Sequence, residues 1–257
     1  AGKATAGAVV TGTNAVYAAT GEMGIKTGLV TINDNASASI TTVSVDGYKT
    51  GSTIGATTKL ADLTLKNAEG TASMTVANTA ETLALTTEKL GDVVTDAVLT
   101  FTNAPETLNL TTLGNNFVTL TAAATKVLNV SGTGTFTDSS NLAALETVTV
   151  KDTAGLTLSG NENNTLTSVD TTDTTGRVVA TINGDKATYA GGDGDDIVII
   201  ANASTAITKA INLGNGNNTL DLSTTTAILP TLEGKITAGT GTDTLILNAA
   251  ASLDSAL

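Results

Sequence analysis

The chain has 257 residues and a formal net charge of −12, from 24 acidic and 12 basic side chains. It contains no His, Cys or Trp, only 2% aromatic residues, and threonine fills roughly a fifth of it. This composition excludes an imidazole base, a thiol nucleophile and a zinc site of the usual nitrogen and sulfur type. With Arg177 as the single arginine it also argues against nucleic-acid partners, whose binding needs cationic contacts.

A chain of this length buries enough surface to fold without disulfides, as one or two domains. Its acidic, cysteine-free, Thr/Ala/Gly-rich make-up favours an extracellular setting. The longest apolar runs, Ala15 to Ala19 and Ile197 to Ala201, are far short of a membrane span, so no integral membrane protein is expected. Ala1 opens without a charged, apolar leader, so either a leader was removed or none existed; the Ser252 to Leu257 end reads as that of a fragment.

Residues 1–59 are expected to form a smaller N-terminal β module. Gly28 to Ile32 and Ile40 to Val45 read as strands, and Asp46-Gly47 reads as a hairpin turn. From 60 to 190 short alternations of threonine with large aliphatics recur, as in Leu63-Thr64-Leu65, Thr107-Leu108-Asn109-Leu110 and Val148-Thr149-Val150. This period of two is that of strands. The units opening at Glu81, Glu106 and Glu146 share one pattern, and a unit with so small an apolar face cannot bury it alone. Stacked units bury a continuous column, so the expected fold is all-β, a parallel β-solenoid resembling a β-roll. Asp170-Thr171-Thr172-Asp173 reads as a solvated loop.

The segment 191–257 carries the chemistry. Gly191-Gly192-Asp193-Gly194-Asp195-Asp196-Ile197-Val198-Ile199 matches the nine-residue calcium repeat G-G-x-G-x-D-x-U-x at every fixed position. Glycines permit a tight loop whose carbonyls face a cation, the sixth-position carboxylate closes the site, and only oxygen donors are offered, as Ca2+ requires. Three acids within four residues would repel one another in an ordinary turn. Weaker copies follow at Leu213 to Asp221, with Asn218 in the acid's place, and at Ala238 to Ile246, with Asp243. A relic from Ser159 to Leu166 is expected to bind nothing unaided.

The copies start 22 and 25 residues apart, which fits one coil per interval, with the three loops stacked on one edge. The expected first site sets Asp193, Asp195 and Asp196 against the carbonyl oxygens of Asn215, Asn217 and Asn218. A weaker site would use Thr240, Asp243 and backbone.

The repeat at 191–199, the T-L-x-L units and the Thr-rich Leu166 to Val178 stretch resemble the RTX-type surface-layer (S-layer) proteins of Gram-negative bacteria, over roughly residues 60 to 248. The resemblance implies type I secretion and calcium-dependent crystallisation on the bacterial cell surface. The leading expectation is a structural, calcium-stabilised protein that self-assembles as a homo-oligomeric lattice or fibre, with lipopolysaccharide or another surface glycan as a candidate anchor. The alternative is an adhesin segment or the noncatalytic RTX module of a polysaccharide-modifying enzyme. An enzyme is not expected, because Arg177 and the lysines stand apart from the carboxylate cluster and no acid and base pair emerges.

Overall fold

A computed structural model describes residues 28–33, 40–55, 59–77, 80–139, 142–159, 165–201, 206–224 and 236–247, together with short strands at 3–4, 9–12, 16–17, 25–26 and 231–232. Among these residues there is no helix, and two large sheets run the length of the molecule. The first sheet has 11 strands: Lys3–Ala4, Thr42–Asp46, Asp62–Ala68, Thr82–Leu90, Thr107–Leu113, Val127–Gly132, Thr147–Asp152, Ser168–Thr174, Thr188–Ala190, Ile211–Asn212 and Ile236–Thr237. The second has 12: Val9–Gly12, Val30–Asn33, Ser52–Gly55, Ser73–Val76, Ala97–Phe101, Asn115–Thr121, Thr135–Asp138, Gly155–Leu158, Val178–Asn183, Ile197–Ala201, Thr219–Asp221 and Thr244–Ile246. The chain alternates between the sheets, and from Val30 onward neighbouring strands in each are parallel. The fold is a parallel β-solenoid. The strands at Lys3–Ala4 and Val9–Gly12 pair antiparallel at its start.

The alternation read from sequence becomes two kinds of column. Inside, Val43, Leu63, Leu85, Leu110, Val130 and Val150 are successive register partners, as are Leu83, Leu108, Leu128, Val148, Val169 and Tyr189. All are buried. Facing them from the second sheet are Ile32, Ile54, Val76 and Phe101. Like side chains stacked on like leave few voids, and each fully buried Leu, Ile or Val contributes roughly 1.5 to 3 kcal/mol. Outside stand rows of hydroxyls: Ser44, Thr64, Thr86, Thr111 and Ser131 on the first sheet, and Thr31, Thr53, Thr75, Thr100 and Thr121 on the second. β-Branched threonine suits a pleated surface with one wet face, which accounts for its abundance. Asn109 and Asn129 add a side-chain rung, the amide of Asn129 donating to Oδ1 of Asn109 at 2.8 Å.

The register also explains the irregular repeat. Thr82 pairs with Thr107, Thr107 with Val127, and Val127 with Thr147. The coils here are therefore 25, 20 and 20 residues long. Lys126 occupies the position between Glu106 and Glu146; its main-chain N–H donates to the carbonyl of Glu106, and Glu146 donates to that of Lys126. Its ammonium lies 3.2 Å from the Glu106 carboxylate. The longest of these coils spends its extra residues on a turn, Gly91 to Asp96, closed by Asp92 N–H to Thr95 C=O and the reverse. Its tip presents Val93 and Val94, 83% and 87% exposed.

Two local expectations are corrected. Asp46-Gly47 is a corner rather than a hairpin turn, because Thr42–Asp46 pairs in parallel with Asp62–Ala68 and the chain next joins the other sheet. Asp170 to Asp173 lies within the strand Ser168–Thr174, with Thr171 buried, and a register shift beside it accommodates the polar run. Both sheets continue through residue 59 without a break. Most of residues 1–27, and residues 160–164 of the relic, lie outside the described residues.

At the corner Tyr48 is buried, and its hydroxyl has no partner among the described residues. Burial lifts that phenol well above the usual tyrosine range. A folded-state pKa raised above the unfolded value of 10.0 means that Tyr48 opposes unfolding fully below pH 10 and loses that contribution as pH rises beyond it. Tyr48→Phe is expected to raise stability by about 1 kcal/mol at pH 7, since it removes an unsatisfied buried hydroxyl while keeping the ring. It should also shallow the loss of stability above pH 10, as read by urea unfolding at pH 7 and 11.

Candidate functional site

The three motif copies meet as one stack. Ile197, Thr219 and Thr244 are register partners, so the loops before them lie on consecutive coils. Gly191, Gly192, Asp193, Gly194, Asp195, Asp196, Asn215, Asn217, Asn218, Thr240 and Asp243 all fall in this stack. The glycines serve close main-chain packing: a Cβ at Gly191 would lie 2.1 Å from the Leu213 carbonyl oxygen, and one at Gly194 would lie 2.3 Å from that of Gly176.

Side chains tie the rungs together in three rows. In the first, Asp193 Oδ1 accepts from the Asn215 amide at 2.9 Å, and Asn215 Oδ1 accepts from both the N–H and the hydroxyl of Thr240 at 3.0 Å. In the second, Asp195 Oδ1 accepts from Asn217 N–H at 2.7 Å, and Asn217 Oδ1 accepts from Thr242 N–H at 2.9 Å. These two rows are exposed and each accepts from the following coil.

The third row is buried at Asp196 and Asn218 and runs the other way. Asp196 Oδ1 accepts from Val178 N–H at 2.8 Å, Asn218 Oδ1 from Asp196 N–H at 2.9 Å, and Asp243 Oδ1 from Asn218 N–H at 3.1 Å. Asp196 is 1% exposed, and its Oδ2 accepts from the Tyr189 hydroxyl at 2.7 Å. Burial pushes the Asp196 carboxyl above its ordinary range, and the Val178 and Tyr189 donors offset part of that rise. Burial, with the Asp196 charge beside it, raises the Tyr189 phenol in turn.

The expected residues thus lie on consecutive coils, and the three acids take different sides of the stack. In the bend that precedes the strand Ile197–Ala201, Asp196 is buried while Asp193 and Asp195 remain exposed. Asn215 and Asn217 meet the acids through N–H groups rather than through carbonyls. Among the described residues no three acidic side chains gather as a metal-holding group. Sequence reasoning missed Tyr189 and Thr171, which lie beside Asp196 only once adjacent coils stack.

Asn116 was also missed. It occupies the inward column extended to earlier coils, where Asn116, Phe136, Leu156 and Val178 are register partners. Its Oδ1 accepts from Leu90 N–H at 3.2 Å, as Asn218 Oδ1 does from Asp196. The signal was present in Leu113-Gly114-Asn115-Asn116, a shortened form of Leu213-Gly214-Asn215-Gly216-Asn217-Asn218.

No protein-family model, no curated protein and no solved structure matches the chain. Among the described residues no helix is long and apolar enough to cross a membrane.

Proposed function

We propose that this chain is a structural, calcium-stabilised protein of the bacterial cell surface, of the RTX type, that associates with copies of itself into an S-layer lattice or an extracellular fibre. The observation that carries this reading is the stack of three glycine-rich loops, with Asp193 and Asp195 on its outer side and Asp196 at its inner edge. Whether such a loop suits a hard cation is tested by its neighbour. The Asn218 side-chain nitrogen is surrounded by the carbonyl oxygens of Gly214, Asn215 and Gly216, so loops of this sequence turn carbonyls inward onto one point. In the preceding loop that point belongs to a carboxylate.

Asp196, with carbonyls of its own loop, is the group that would hold the ion, and Asp193 and Asp195 would add negative charge from the outer side of the loop. Bound Ca2+ would supply positive charge to a carboxylate that burial otherwise penalises. It would add about 2.7 kcal/mol to stability at a hundredfold excess over Kd, and so couple folding to the calcium available outside the cell. Self-association is supported by Val93 and Val94, two aliphatic side chains held out on a closed turn, because a pre-ordered apolar tip loses little entropy on docking.

The test is circular dichroism, thermal unfolding and negative-stain microscopy of the purified chain in calcium and in chelator. Calcium is expected to raise Tm and drive assembly, and replacing both Val93 and Val94 by threonine should leave Tm unchanged while reducing assembly. Identical Tm and identical particles with and without calcium would sink the proposal.

A further inference from the structure

The inward column holds two asparagines whose amides do more than bridge coils. Asn218 is 0% exposed, and its Nδ2 lies 3.4 Å from Gly214 O, 3.4 Å from Asn215 O, 3.3 Å from Gly216 O and 3.0 Å from Asp243 Oδ1. Asn116 is likewise 0% exposed, with Nδ2 at 3.2 Å from Leu113 O, 3.3 Å from Gly114 O, 3.1 Å from Thr135 O and 2.9 Å from Thr112 Oγ1. In each loop one NH2 group sits in a cage of four oxygens, more acceptors than its two hydrogens can satisfy at full strength. Asp196, at the same column position, has no hydrogen to donate in its ionised form and instead receives the Tyr189 hydroxyl.

We infer that the Asn218 and Asn116 amides stand in for a cation in their loops, and that the residue at this column position decides each loop's ion dependence. Asparagine closes the loop unaided; aspartate turns it into a divalent-cation site. The partial positive charge of the amide protons neutralises the inward carbonyls, and a carboxylate at that point leaves the same oxygens, plus two of its own, for a hard cation. In the native chain the 213–218 loop is then an ion-free rung already formed beside the 191–196 loop, with the Asn218 oxygen holding Asp196 N–H in place. The inference rests on the calcium reading only for the choice of ion.

The test uses the full chain, with Asn218→Asp and Asn116→Asp made separately. Calcium binding is measured by titration calorimetry, and Tm in chelator and in calcium. Each variant is expected to melt below the parent in chelator. Each should recover with calcium by about 5 °C or more at a hundredfold excess over Kd, and bind one ion more than the parent. Asn218→Ala should lose stability that calcium does not restore beyond the parent's own response. Aspartate variants that bind no additional ion, or that calcium fails to refold, overturn the inference. A parent that binds no ion would overturn both readings, because Asp196 already sets a carboxylate at this column position. A parent that binds, with no gain in either variant, would overturn the inference and leave the proposed function standing.

Discussion

Asp196→Ala is expected to lower stability by about 2 to 6 kcal/mol in chelator, because it strips the acceptor from two buried donors at once, each worth roughly 1 to 3 kcal/mol when left unpaired. Those donors are Val178 N–H and the Tyr189 hydroxyl. Thr171 Oγ1 lies 3.4 Å from that hydroxyl and donates to the Ala190 carbonyl at 3.1 Å, so it offers Tyr189 only a long, weak acceptor in the carboxylate's place. Asp196→Asn keeps an oxygen for Val178, and the position already tolerates the amide one coil later at Asn218, so its loss should stay within about 1 kcal/mol. Urea unfolding of the two variants in chelator separates the hydrogen-bonding role of this carboxylate from any role with an ion. A loss below about 1 kcal/mol for the alanine variant would show that the buried pair does not hold the coils.

Gly134→Ala is expected to be at least as damaging, with a loss of about 3 kcal/mol or more. Gly134 packs directly on the coil before it: an added Cβ would lie 2.1 Å from the carbonyl oxygen and 2.5 Å from the nitrogen of Gly114. Both are main-chain atoms, so relief requires the coils to part, and with them the ladder that pairs Asn115–Thr121 with Thr135–Asp138. Gly55→Ala is the control. Among the described residues its Cβ would meet nothing nearer than the Ile32 carbonyl oxygen at 3.9 Å. Thermal unfolding of the two variants should differ by several degrees, and equal Tm values would contradict the close approach.

The strands were legible because a period of two with β-branched residues has one physical meaning, and Thr107 to Leu110 or Val127 to Val130 state it without ambiguity. The stacking of the motif loops was legible too, since 22 and 25 residues each fit one coil. Register was not. The 40 residues between Glu81-type units at 106 and 146 conceal a whole coil whose equivalent residue, Lys126, carries the opposite charge. Asp46-Gly47 misled because a turn signal fixes local dihedrals and leaves open which sheet the chain enters next. The acidic cluster was legible as a cluster, but the side each acid takes was not: Asp195 stays outside while Asp196 turns into the interior. The partner that holds Asp196, Tyr189, could not be assigned without knowing that both turn into the same interior.

Because the strands lie across the molecule and their hydrogen bonds run along it, the solenoid is mechanically anisotropic. Tension applied end to end falls on one interface at a time, and the weakest ladder opens first. Each coil released between Thr107 and Thr147 would pay out 20 residues of slack, up to about 70 Å of extended chain, before the next interface bears load. Shear across the strands meets covalent backbone instead, so a tether fixed at one end would behave as a stepwise shock absorber, and one fixed along a flank as a stiff rib.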